Sequence, residues 1–139
     1  LQHQPRGHTD GDSVVYFAQH NTVHMGDLFF RDRFPYVDLG SGGSIDGYLA
    51  GISAVLARAD DDTLIVPGHG SLATRDDLER FRDMILSTSA AVREALAAGQ
   101  TPAQITKNGL GARWESWGEG FINEASWIST LLTDLQADQ

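Results

Sequence analysis

The apolar positions of this chain fall into short runs and helical stripes separated by turn residues, a pattern that predicts alternating strands and helices. Val14-Val15-Tyr16-Phe17 and Thr22-Val23-His24-Met25 read as strands, and the polar break Gln19-His20-Asn21 predicts an antiparallel hairpin with Asn21 in the turn. A loop carrying Pro35, Gly40, Gly42 and Gly43 ends at Ser44, a good N-cap, and Ile45, Leu49, Ile52 and Leu56 then recur on one helical stripe. Asp60-Asp61-Asp62 is a polar turn, followed by the compact strand Thr63-Leu64-Ile65-Val66, which stops at Pro67-Gly68-His69-Gly70. Thr74 caps a long helix whose Leu78, Phe81, Ile85, Val92 and Leu96 share a face and which Gly99 closes. Thr101-Pro102-Ala103-Gln104 starts a short helix toward Asn108-Gly109, with Pro at the first helical position and Gln at the capping-box position. Phe121 to Leu135, with Ile122, Ala125, Ile128, Leu132 and Leu135, reads as a terminal helix. No repeat, low-complexity tract or linker interrupts residues 1–139, so the chain reads as a single unit of α/β class.

Composition narrows what such a unit does. Hydrophobic residues make up 41% of the 139 and charged residues 21%, the balance of a globular chain. Ten Lys and Arg against nineteen Asp and Glu give a net charge of −9, which repels phosphate backbones and anionic lipid, so neither nucleic acid nor membrane is expected as a partner. No apolar run approaches the roughly 20 residues of a membrane helix. Cysteine is absent, which excludes thiolate nucleophiles and sulfur-ligated metals; any metal must be held by His, Asp or Glu.

Three Gly-rich segments supply such donors: Gly7-His8-Thr9-Asp10-Gly11-Asp12, His24-Met25-Gly26-Asp27, and Pro67-Gly68-His69-Gly70. In α/β folds loops of this kind gather at one edge of the sheet, and glycines let the backbone approach a small site closely. His8, Asp27 and His69 are therefore the candidate metal ligands. Asp10 and Asp12 are candidates to orient the His8 imidazole, and the strand alternation makes His24 a further candidate beside the site, although a structural histidine explains it as well. Each segment alone is also explained by an ordinary turn. Phe29, Phe30, Phe34 and Tyr36 read as packing on the helix from Ile45, with a pocket wall as the alternative. Trp114, Trp117 and Trp127 read as core or interface anchors.

In this order, and with apolar strands before the second and third segments and Ser41-Gly42-Gly43-Ser44 before the helix, the segments resemble the C-terminal half of the metallo-β-lactamase fold superfamily, the binuclear metallohydrolases that include glyoxalase II. The resemblance runs from Gly7 to Ala73, a motif-bearing part of about 7–73, and fades over the helical remainder, 74–139. It implies that His8 binds the first of two zinc ions, that Asp27 bridges both and that His69 binds the second. It also implies metal-activated water attacking an ester, thioester, amide or lactam carbonyl. The family's His-x-His-x-Asp-His motif, which carries four of the seven expected ligands, has no counterpart in these 139 residues.

The resemblance therefore implies one half, a sheet with its helices, of a helix-sheet-sheet-helix sandwich. By itself such a half is expected to hold one ion or none and to be inactive. The chain starts at Leu1 rather than Met, which fits a segment of a longer product. An apolar sheet face left without its other layer calls for a partner. The expected partner is the missing N-terminal half as a separate chain, or a second copy packed sheet to sheet. In the second case the chain is a structural or interaction module with residual metal binding.

Overall fold

A computed structural model describes residues 1–137; Asp138 and Gln139 of the single unit read from the sequence lie outside the described residues. Four strands form one sheet in the order β1 (Gln2–Gln4), β2 (Asp12–Phe17), β3 (Thr22–Phe30), β4 (Leu64–His69). β1 and β2 pair antiparallel, β2 and β3 form the expected hairpin, and β3 and β4 run parallel, joined through the loop 31–44 and helix α1 (Ile45–Leu56). Helix α2 (Arg75–Ala97) packs beside α1, and both lie against β3; α3 (Pro102–Asn108) and α4 (Glu124–Ala137) follow along α2.

The helix starts follow from their caps. Ser44 Oγ accepts from Gly47 N at 3.0 Å at the start of α1. Thr74 with Asp77, and Thr101 with Gln104, each complete a reciprocal capping box. Gly99, at φ +82°, takes the left-handed conformation after α2 that glycine tolerates. The core lies between the sheet and the helices, with Val14, Val23, Met25 and Ile65 pointing inward from the strands against Tyr48, Ile52, Leu78, Phe81 and Ile85. Trp127, fully buried on α4, donates through Nε1 to Thr88 Oγ1 on α2 at 3.0 Å, and Thr88 donates in turn to Met84 O at 2.8 Å. Trp114 and Trp117 are core residues as well, stacked edge to face.

Several elements differ from the pattern reading. β1 is too short and too polar to carry an alternation signal and is held by pairing with β2. The terminal helix begins at Glu124, not Phe121: Asn123 Oδ1 accepts from Ser126 N at 2.9 Å, and Phe121 stands 89% exposed outside it. On α1 the buried stripe is Ile45, Tyr48, Ile52, Val55 and Leu56, with Leu49 only half-buried, because the phenol of Tyr48 has a partner inside. β3 and β4 both run past their expected ends, to Phe30 and His69, which carries Asp27 and His69 into the sheet's edge rather than beyond it.

Among the described residues, no helix covers the opposite face of the sheet. There the rows Val15–His24–Val66 and Phe17–Thr22–Leu64 cross the three longer strands, with Phe17 and Leu64 exposed and Val15 and Val66 half-buried.

Candidate functional site

Asp27 reaches its place through an irregularity in β3. Between the pairs Gly26↔Pro67 and Phe30↔His69, β3 spends four residues where β4 spends two, so the segment around Asp27 bulges out of the ladder. Gly26 supplies the left-handed φ of +54° that opens the bulge. From α1 the buried Tyr48 donates its hydroxyl to Asp27 O at 2.7 Å, pinning the bulged backbone from below. Burial pushes the Tyr48 phenol well above its ordinary pKa, and the charges of Asp27 and Asp12 push it further, so it stays a neutral donor.

His69 ends β4, its ring stacked on Phe30 with centroids 4.5 Å apart. Its Nε2 lies 3.2 Å from Asp27 Oδ1, and the two side chains are 52% and 42% exposed, so this pair faces solvent. The glycine before it is required. A Cβ on Gly68 would lie 2.5 Å from Asp27 Oδ1 and 2.6 Å from Gly26 O, so a larger residue would displace the carboxylate or the strand.

His8 sits in a separate pair. Its Nδ1 is 3.6 Å from Asp12 Oδ1, while Asp12 also accepts from Thr9 N at 3.0 Å and Thr9 Oγ1 at 3.2 Å. The glycines of Ser41-Gly42-Gly43-Ser44 make room for it: His8 O accepts from Asp38 N at 2.8 Å, and a Cβ on Gly43 would meet His8 O at 2.4 Å. Ser44 fastens the preceding turn, donating through Oγ to Arg6 O at 3.0 Å. Tyr36 lies edge-on to the His8 ring at 5.7 Å. Gly7 packs directly against Leu28, the residue after Asp27, which sets the two pairs on neighbouring ground.

The structure thus joins Asp27 with His69 and His8 with Asp12. No group of three or more His, Asp or Glu side chains arranged to hold one ion occurs among the described residues. Asp10 stands apart from the His8–Asp12 pair: its backbone carbonyl accepts from His3 Nε2 at 2.6 Å and its N–H donates to Ser41 O. His24 uses Nδ1 to accept from Gly26 N at 3.0 Å, on the open sheet face, where it stabilises the start of the bulge. Phe29, Phe30 and Phe34 are buried, and only Tyr36 of the aromatic loop stays exposed. The pattern reading missed Tyr48 and Arg31. Tyr48 gives no signal beyond one aromatic on a helical stripe, while a charged residue directly after Leu28-Phe29-Phe30 was a readable hint for Arg31.

No family model matches the chain, and no curated protein sequence matches it. Solved structures do. The stereoselective inverting sec-alkylsulfatase Pisa1 from Pseudomonas sp. superposes with a TM-score of 0.70 at 15% identity, over 94% of this chain and 23% of its own. A double mutant of that sulfatase gives 0.74 at 15% identity, over 96% and 23%. A metallo-β-lactamase from Pontibacter korlensis gives 0.52 at 19% identity, over 61% and 40%. The fold is that of one half of the metallo-β-lactamase sandwich. The chain spans less than half the length of each of these proteins. The sulfatase likeness takes in nearly the whole chain, including the helical remainder, where the sequence motifs are silent.

Proposed function

We propose that this metallo-β-lactamase half-fold supplies part of the metal centre of a hydrolase. Asp27 and His69 would hold metal there, His8 would contribute a further donor, and a segment packed on the open sheet face would complete the donor set. The observation that carries this reading is the Asp27–His69 pair, 3.2 Å apart, half exposed, and kept clear by a glycine whose Cβ would fill the space. The donor set fits: imidazole and carboxylate suit zinc, and a metal-binding imidazole characteristically has its other nitrogen directed at a carboxylate, as His8 Nδ1 is at Asp12. Two pairs without a third donor each fall short of the three protein ligands of a catalytic zinc, which is why the reading needs the second segment.

When bound, such a metal acts as a Lewis acid and lowers the pKa of water toward neutrality. The chain's own residues fix where that happens. Tyr48 locks the Asp27 backbone, Phe30 fixes the plane of the His69 ring, and Asp12 fixes that of His8. The carbonyl substrates that the motifs suggest are joined by sulfate esters, because the likeness that covers nearly the whole chain is to an alkylsulfatase.

A second reading rests on the open sheet face. Val15, Phe17, Leu64 and Val66 offer a second copy of the chain an apolar surface, which would make this a dimerising module with residual metal binding. Metal analysis combined with native mass spectrometry separates the two. The hydrolase reading expects zinc in the wild-type particle, a second polypeptide segment in it, turnover of an ester, lactam or alkyl sulfate, and loss of zinc in Asp27→Asn and His69→Ala. A metal-free homodimer contradicts it.

A further inference from the structure

We infer that Arg31 is a positioning residue for His69, acting through the loop that follows it; the inference rests on the metal-centre reading above. Arg31 follows the last residue of β3 and reaches across to the far side of β4's end. Its backbone N–H donates to His69 O at 2.9 Å. Its guanidinium donates through Nη1 to Ser71 Oγ at 2.7 Å and to the carbonyl of Leu72, and Nη2 lies 3.1 Å from Asp77 Oδ2. One planar fork therefore joins the end of β3, residues 71–72, and Asp77, the capping-box partner of Thr74 in the first turn of α2.

The loop is built to receive it. Gly70 has φ +107°, and a Cβ there would meet Arg31 Cβ at 2.8 Å. Beyond Leu72 the chain is tied back by Ala73, which exchanges two backbone hydrogen bonds with Ile65. His69 is thus held on its main-chain side by Arg31 and on its ring side by Phe30, and between them they set the Nε2 that faces Asp27. Arg80 makes a useful contrast. It binds Asp77 at 2.8 Å and Asp32 at 2.7 Å, so it shares the network, but its guanidinium is engaged by these two carboxylates rather than by Ser71 and Leu72.

The test compares Arg31→Met with Arg80→Met in the full chain by two readouts. The first needs no metal: the NOE and ring-current shift between His69 and Phe30 protons. These are expected to be lost in Arg31→Met and kept in Arg80→Met, with both variants retaining wild-type circular dichroism. The second is Co²⁺ binding followed by its visible spectrum. Affinity is expected to fall about tenfold in Arg31→Met, the size of loss typical when support around a ligand is removed, and to stay at the wild-type value in Arg80→Met. Arg31→Lys keeps the charge without the fork and is expected to behave as Arg31→Met; it stands in if the methionine variant does not fold. An unchanged His69–Phe30 contact in Arg31→Met overturns the inference, as does an equal loss in Arg80→Met. Absence of Co²⁺ binding by the wild type with its completing segment present overturns the metal-centre reading instead, and leaves the first readout to decide on Arg31.

Discussion

Two glycines set the positions of the candidate donors, because at each a missing side chain is what lets two segments approach. Gly68 leaves the space that Asp27 Oδ1 enters, and Gly43 leaves the space for the carbonyl of His8. Neither constraint involves a positive φ, so an Ala at Gly68 is excluded by contact rather than by backbone strain. We predict that Gly68→Ala separates Asp27 from His69 and weakens zinc binding by tenfold or more while circular dichroism stays that of the wild type, an effect of the size expected when support around a ligand is lost. Zinc titration checks this, and undiminished affinity would show that the Asp27 carboxylate is not placed by the space at Gly68.

At the scale of elements, Thr74, Arg31 and Arg80 converge on Asp77 at the start of α2. Burial works to raise the Asp77 carboxyl, but the Thr74 N–H, Arg80 and Arg31 outweigh it and hold the group below the ordinary aspartate range. A carboxyl whose pKa is depressed on folding stabilises the fold above its unfolded value, about 3.9, and that contribution is lost as pH falls through the folded value. The expected outcome is a wild-type melting temperature that drops steeply below about pH 4 and a shallower drop in Asp77→Asn, read by thermal melts across the acid range. Parallel curves would mean that Asp77 does not couple folding to protons.

The elements themselves were legible wherever a cap or an alternation marked them: Ser44, Thr74 and Thr101 each start the helix they announce. What the pattern does not carry is longer in range. The bulge at Asp27 depends on Gly26 meeting β4, the inward turn of Tyr48 on a carbonyl across the sheet, and the hold on residues 71–72 on an arginine some 40 positions earlier. In the same way the sequence marks His8, Asp27 and His69 as donors, while only the folded chain pairs His69 with Asp27, pairs His8 with Asp12 and sends His24 to the open face.

For the molecule as a whole, the two faces of the sheet have different chemistry. One is sealed by α1 and α2 around a core of Tyr48, Phe81 and Ile85. The other presents Phe17 and Leu64 to solvent beside the polar His24 and Thr22. The candidate donors lie at one end of this sheet, so a layer packed on the open face would border the Asp27–His69 pair as well as cover Val15 and Val66. A net charge of −9 favours a basic or neutral partner surface and attracts divalent cations. The central claim, that Asp27 and His69 are metal ligands, is tested most directly by anomalous diffraction at the zinc edge from crystals of the zinc-saturated protein. The account predicts an anomalous peak about 2.0–2.2 Å from an Asp27 oxygen and a His69 ring nitrogen. Zinc bound only elsewhere, with Asp27 and His69 still in direct contact, would contradict it.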